Sequence, residues 1–343
     1  MLPEYINSTL KTPVGDVWQV ASQWSRKDLW ETIKVRWNLG RMNYRVKPGL
    51  YAIGNPDENA HIFVTANFKL SFDHLRRALK GMNAWMLVLD TKGVNVWCAA
   101  GKGTFGTKEL TYRIKAHELS KLVSHNKIIV PQLGAVGVSA HEILNNTGFH
   151  VIYGPVVASD ISDFVKQGLK ASPEMRKIEF PLKDRLKLIP VEITFGGFYL
   201  LLVPALFFVL AGLSLSGYSV DDAWYRGGRA VLNLFAAYFA GCVVTPALLP
   251  WIPFRRFSVK GLISAWAIAA LLYFTVGLGN SLVEIVSWLL IMGGISSFLA
   301  MNFTGSSTYT SLSGVLKEMK ISLPTQIVGA SLGLLGWIVS LFI

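Results

Sequence analysis

Two rhythms of apolar and polar positions divide the chain near residue 193. From His61 to Gly168, short apolar runs alternate with amphipathic stretches. Ile62–Ala66, Trp85–Asp90, Lys127–Val130 and His150–Tyr153 read as strands, brief and flanked by turn residues. Ser71–Leu79, Glu109–Ser124, Ala140–Asn145 and Asp160–Gly168 carry apolar residues at helical spacing. This alternation predicts an α/β fold: a doubly wound parallel sheet with ligands at the carboxyl ends of its strands. The segments leaving those ends are Thr65-Ala66-Asn67, Asp90–Gly106, Pro131-Gln132-Leu133-Gly134 and Gly154-Pro155-Val156. Each is rich in Gly, Pro or amides, as a ligand with many polar edges requires.

Beyond residue 192 the pattern becomes five apolar runs of about twenty residues, each long enough to cross a bilayer. They fall near 193–213, 230–250, 261–279, 282–301 and 323–343 and predict an all-α five-helix transmembrane domain. Between the halves, residues 171–192 form a basic linker. Residues 1–59 show little periodicity and are expected to be an N-terminal arm packing on the α/β domain of residues 60–170. The 302–322 loop is rich in Gly and hydroxyls, a fair docking or ligand surface.

Composition sharpens this division. The chain is 52% hydrophobic and only 16% charged, too apolar for a wholly soluble protein. Up to Glu192 there are 26 Lys and Arg against 17 Asp and Glu, net +9; beyond it 7 against 4, net +3. The linker, Arg255-Arg256 with Lys260, and Lys317 with Lys320 lie on one side of the predicted spans. The positive-inside rule therefore places the N-terminal domain in the cytoplasm and the C-terminus outside a cytoplasmic (inner) membrane. A basic domain beside a membrane meets anionic lipid; scattered bases without a zinc-finger or RNA-binding signature argue against nucleic acid. Glu284, the one acid within a span, lies near an outer end and is expected to snorkel to the interface.

Candidate chemistry converges on residues 94–106. Asn95 is a good N-cap and Gly101 a good C′ stop, so Val96–Ala100 can form a short capped helix with Cys98 near its start. Backbone N–H groups there favour a thiolate, although a lone Cys among Trp and Ala also suits a core. Cys98 and Cys242 lie in different halves, which leaves no disulfide framework and no cysteine cluster. Neither G-x-x-x-x-G-K-[ST] nor G-x-G-x-x-G occurs in the required place, so nucleotide readings are weak. One soft sulfur ligand suits a soft or borderline metal centre whose other positions a cofactor fills.

The octet Asn95-Val-Trp-Cys-Ala-Ala-Gly-Lys102 resembles the cap-helix motif of the HgcA family, the membrane corrinoid proteins of microbial mercury methylation. Val64–Asp73 with Leu75-Arg76, and Arg41-Met-Asn-Tyr with Lys47–Tyr51, are similar to the same family. The soluble half also resembles the corrinoid-binding, flavodoxin-like or Rossmann-like domain of the corrinoid iron–sulfur protein. The resemblance implies a corrinoid-dependent methyltransferase that passes a methyl group from cysteine-ligated cobalt to Hg(II), forming methylmercury. A membrane-tethered methyl carrier of one-carbon metabolism is the alternative. It further implies a base-off cobalamin with Cys98 as lower axial ligand of cobalt, and no iron–sulfur cluster in this chain; the histidine-donating D-x-H-x-x-G motif is absent. Asn95 would cap the helix, Trp97 pack near the ring, and Lys102 contact the rim or hold the thiolate, with Val96 and Ala99 beside them. Thr65, Asn67, Gln132, Gly134 and Val156 are the expected contacts at the strand ends. The implied partners are a ferredoxin-like electron donor, HgcB, with [4Fe–4S] clusters, and a methyl-folate type donor or its methyltransferase.

Overall fold

The computed structural model describes residues 3–307 and 312–343. Two compact units are formed, one by residues up to Val35 with Leu39–Ile178, the other by Arg36–Asn38 with Glu179–Ile343.

In the N-terminal unit the elements follow as β1 (Ile6–Thr12), β2 (Gly15–Val20), α1 (Arg26–Arg36), β3 (Gly49–Ile53), β4 (Ile62–Ala66), α2 (Lys69–Ala78), β5 (Ala84–Leu89), α3 (Val96–Gly101), α4 (Thr107–Ala116), α5 (Leu119–Leu122), β6 (Lys127–Val130), α6 (Ala140–Thr147), β7 (His150–Tyr153) and α7 (Ile161–Lys166). A seven-stranded sheet runs β1-β2-β3-β5-β4-β6-β7. Its β5-β4-β6-β7 portion is parallel, as the alternating pattern predicts. The whole sheet is mixed, however, because β3 pairs antiparallel with β5 and β1 antiparallel with β2.

That difference corrects the expected N-terminal arm, which supplies three strands of the sheet. Edge strand β1 keeps most of its residues outside the core and has an irregularity between Ile6 and Ser8, so it carries little apolar alternation. β3, buried throughout, is a five-residue run directly after the Pro48-Gly49 turn.

Successive residues of the inner strands face opposite cores. Ile62, Val64 and Ala66 join Leu110 and Ile114 of α4 and Ile143 of α6 on one face. Phe63 joins Phe72 and Leu75 of α2 and Phe164 of α7 on the other. Helices thus cover both faces. The helix expected over Glu109–Ser124 breaks at Glu118, whose φ of 44° turns the chain so that Leu119 and Leu122 reach the core.

In the C-terminal unit, four helices among the described residues are long and apolar enough to span a membrane: Val220–Leu248, Phe257–Thr275, Leu282–Gly305 and Ser313–Ser340. A fifth crossing exists if Leu182–Thr194 and Tyr199–Leu210, bent by 58°, act as one. The expected 302–322 loop is mostly helical: Phe303–Ser306 forms a 3-10 turn and a helix runs from Leu312. Residues 308–311 of it lie outside the described residues. Glu284, expected to snorkel, has a charge partner within the unit. It is buried at the start of its helix, 3.1 Å from Arg229, and accepts the Asn280 N–H at 2.7 Å. Its charge partner is a guanidinium on a neighbouring helix.

Candidate functional site

The order β5-β4-β6 places a topological switch between β4 and β6, since the chain leaves β4 to one side and returns on the other. Ligands of open α/β sheets bind at such points. β4 meets β6 at one register pair, Phe63–Ile129. Beyond it a cleft of about 880 Å³ opens, lined by Thr65 of β4, α2 residues including Leu75 and Arg77, Asn95–Trp97, Pro131, Leu133 and Gly154–Ser159. Leu133, Val156 and Ile161 give it apolar surface; His74, Arg77 and Lys80 give it a basic side.

The wall carrying α3 is fixed by local hydrogen bonds. Asn95 Oδ1 accepts the Cys98 N–H at 2.9 Å, so the expected N-cap is in place. The helix ends later than expected: Gly101 is its last residue and Gly103 takes the left-handed turn at φ 78°. Ala99, wholly buried, accepts the N–H groups of Thr104 and Phe105 through its carbonyl at 3.0 and 3.1 Å. Upstream, Asn67 Oδ1 accepts from Thr91 N (3.1 Å), Thr91 Oγ1 (2.9 Å) and Gly93 N (2.9 Å), while its Nδ2 donates to Asp90 at 3.1 Å. Burial raises the Asp90 pKa, but hydrogen bonds from Lys92 outweigh it and hold the carboxyl below its ordinary value. Glu109 closes the loop, accepting the Asp90 N–H at 2.8 Å and Arg113 Nε at 2.7 Å.

The expected site residues therefore separate. Thr65, Asn95, Val96, Trp97 and Val156 line the cleft. Cys98 is half-buried and directly follows Trp97, but does not itself line that cleft. Asn67 is 2% exposed and fully engaged with the loop, and Ala99 belongs to the core. Gly134 is buried where a Cβ would overlap the Phe105 ring, so its glycine is required by packing. Lys102 is exposed at the end of α3. Gln132 adjoins the cleft-lining residues Pro131 and Leu133, and its buried Oε1 has no hydrogen-bond partner among the described residues.

Sequence reasoning missed Ser71, His74, Arg77 and Lys80. Ser71, His74 and Arg77 occupy the polar side of amphipathic α2 and Lys80 the turn after it, which in sequence look like a solvated face. Their one local signal is that α2 follows directly from the carboxyl end of β4.

A family model described as CO dehydrogenase/acetyl-CoA synthase delta subunit matches residues 26–165. The acetyl-CoA decarbonylase/synthase complex subunit gamma of Methanocaldococcus jannaschii is 32% identical over 147 residues, covering 40% of this chain and 30% of that protein. The corrinoid/iron-sulfur protein large subunit of Moorella thermoacetica is 32% identical over 127 residues, 36% of this chain and 28% of that protein. The chain thus spans about 30% of the length of these curated relatives. The soluble half is related to corrinoid/iron-sulfur proteins; its match stops before the apolar helices.

Proposed function

We propose that the N-terminal unit holds a corrinoid against the cleft at the β4–β6 switch, where Cys98, one residue past the cleft-lining Trp97 on α3, would be the thiolate that holds its cobalt. The chain would act as a membrane-anchored methyltransferase that delivers the methyl group to Hg(II), forming methylmercury. One observation carries this reading: the only cysteine of the N-terminal unit follows Trp97, a wall of the cleft, on a helix held by Asn95.

The residues present fit such a ligand. Leu133, Val156 and Ile161 offer apolar surface to a large flat ring, while Ser71, Ser159, Arg77 and Lys80 offer polar groups to its edges. When bound, the corrinoid supplies a cobalt centre that takes up and gives up a methyl group. Thr65, Trp97 and Val156 would orient it. The Cys98 thiolate would supply electron density to the metal it holds, which favours a soft electrophilic acceptor such as Hg(II). Exposed Lys102 would offer the thiolate a positive charge. Asn67, Ala99 and Gly134 would serve by fixing the loops.

A second reading is a membrane-tethered methyl carrier of one-carbon metabolism. The names of the chain's relatives, an acetyl-CoA decarbonylase/synthase complex subunit gamma and a corrinoid/iron-sulfur protein large subunit, support it. An anaerobic assay separates the two. Membranes containing the protein are supplied with corrinoid, a methyl-folate donor, a ferredoxin-like electron donor of the HgcB type and Hg(II). Methylmercury that disappears in the Cys98→Ala variant supports the first reading. Methyl transfer to an acetyl-CoA synthase with Hg(II) left unmethylated would replace it with the second.

A further inference from the structure

Helix α1 is anchored on one side. Asp28 and Val35 are its buried residues. At about 100° per residue, Leu29, Ile33 and Trp30 fall on one stripe, roughly opposite Asp28 and Val35. All three are exposed, at 50%, 48% and 58%. The turn that follows exposes Leu39 and Met42 as well.

Bases border the stripe. Arg26 and Lys34 are exposed, and Lys34 Nζ lies 5.7 Å from the centre of the Trp30 ring, whereas exposed Lys27 is paired with Glu4 at 2.9 Å. The helix's acids turn the other way: Asp28 meets Lys69 at 2.9 Å and Arg76 at 2.8 Å, and Glu31 meets Lys69 at 3.3 Å. An apolar stripe containing Trp and edged by Lys and Arg is suited to the headgroup region of an anionic bilayer. The apolar helices of the C-terminal unit, by length and composition, bring a bilayer to the same chain.

We infer that α1 docks on an anionic membrane surface, with Leu29, Trp30 and Ile33 at the boundary between headgroups and acyl chains. The docking orders one side of the N-terminal unit against lipid and does not depend on what the cleft binds.

The test uses the full chain carrying Cys98→Ser and Cys242→Ala, with one fluorophore attached through Ile33→Cys. It is placed in nanodiscs of phosphatidylglycerol and phosphatidylcholine, with or without bromine on the acyl chains. A matched chain labelled through Lys121→Cys is the control, since that side chain is 62% exposed on the same unit. The label at position 33 should lose most of its emission in brominated nanodiscs, and the control should keep its own. Adding Arg26→Glu and Lys34→Glu should restore emission at position 33. Equal emission in brominated and ordinary nanodiscs would overturn the inference, whether the label faces water or is covered by protein. Quenching unchanged by the two Glu substitutions would overturn the role of charge.

Discussion

Asn67 commits its amide to the Asp90–Gly93 loop, and Asn95 commits its own to the first turn of α3. The two residues set the position of Cys98 from opposite ends of one connection. Asn95 was legible in the sequence because a cap and the N–H it accepts from lie three residues apart. Asn67 was expected to touch ligand, since its partners lie 23 to 26 residues away and only the folded sheet brings them together. Replacing Asn67 by Ala leaves the buried Thr91 N–H without its acceptor and is expected to cost about 1–3 kcal/mol. Asn95→Ala should cost about 1 kcal/mol as the loss of a cap. Chemical denaturation of both variants measures these costs. Under the proposed function, Asn95→Ala should also weaken corrinoid binding, measurable by absorption titration.

Between elements, α1 and α2 are joined by charge. Asp73 contacts Lys69 and Arg76 at 2.8 Å each, and both cations also contact Asp28. Removing one member leaves buried charge unpaired, so Arg76→Ala is expected to destabilise by about 3–5 kcal/mol. Thermal unfolding measures that loss. Burial raises the Asp28 pKa, yet hydrogen bonds from Ser25 N–H, Arg76 and Lys69 outweigh it and hold the carboxyl well below the ordinary carboxylate range. A lowered folded pKa gives stability that is present above the unfolded value of about 3.9 and lost as pH falls below it. Wild-type stability should therefore decline through pH 4 and below, with a shallower decline in Asp28→Asn; urea titrations across pH 2–7 test the difference.

The parallel strands β4, β6 and β7 were legible to the residue, because their short apolar runs are bounded by turns; β4 is buried on both faces, while β7 is a part-exposed edge. The remaining strands of the first 59 residues were not. β1 is a half-exposed edge whose polar Ser8, Thr9 and Thr12 hide the period, and β2 is identified by its pairing with β1 and β3. The spacing of apolar residues also carried α4 and α5 as one helix, since nothing local in Glu118 announces its left-handed turn.

For the molecule as a whole, the division into a soluble half and an apolar half followed from composition, but the boundary moves: the first compact unit ends at Ile178 rather than 170. A chain ending at Ile178 should be soluble without detergent and fold cooperatively, as gel filtration and circular dichroism would report. In the apolar half, Glu284→Ala should strand Arg229, whose side chain is 9% exposed, and lower the yield of folded protein from membranes. The partner of Glu284 was hidden in the sequence because 55 residues separate the two.

The account turns on one sulfur atom. The most direct measurement is the anaerobic visible absorption spectrum of the full-length protein reconstituted with aquocobalamin, compared with that of the Cys98→Ala variant. Cobalt–thiolate bands present in the wild type and absent from a folded, corrinoid-loaded Cys98→Ala variant are the expected result. Identical spectra from the two loaded proteins would contradict it.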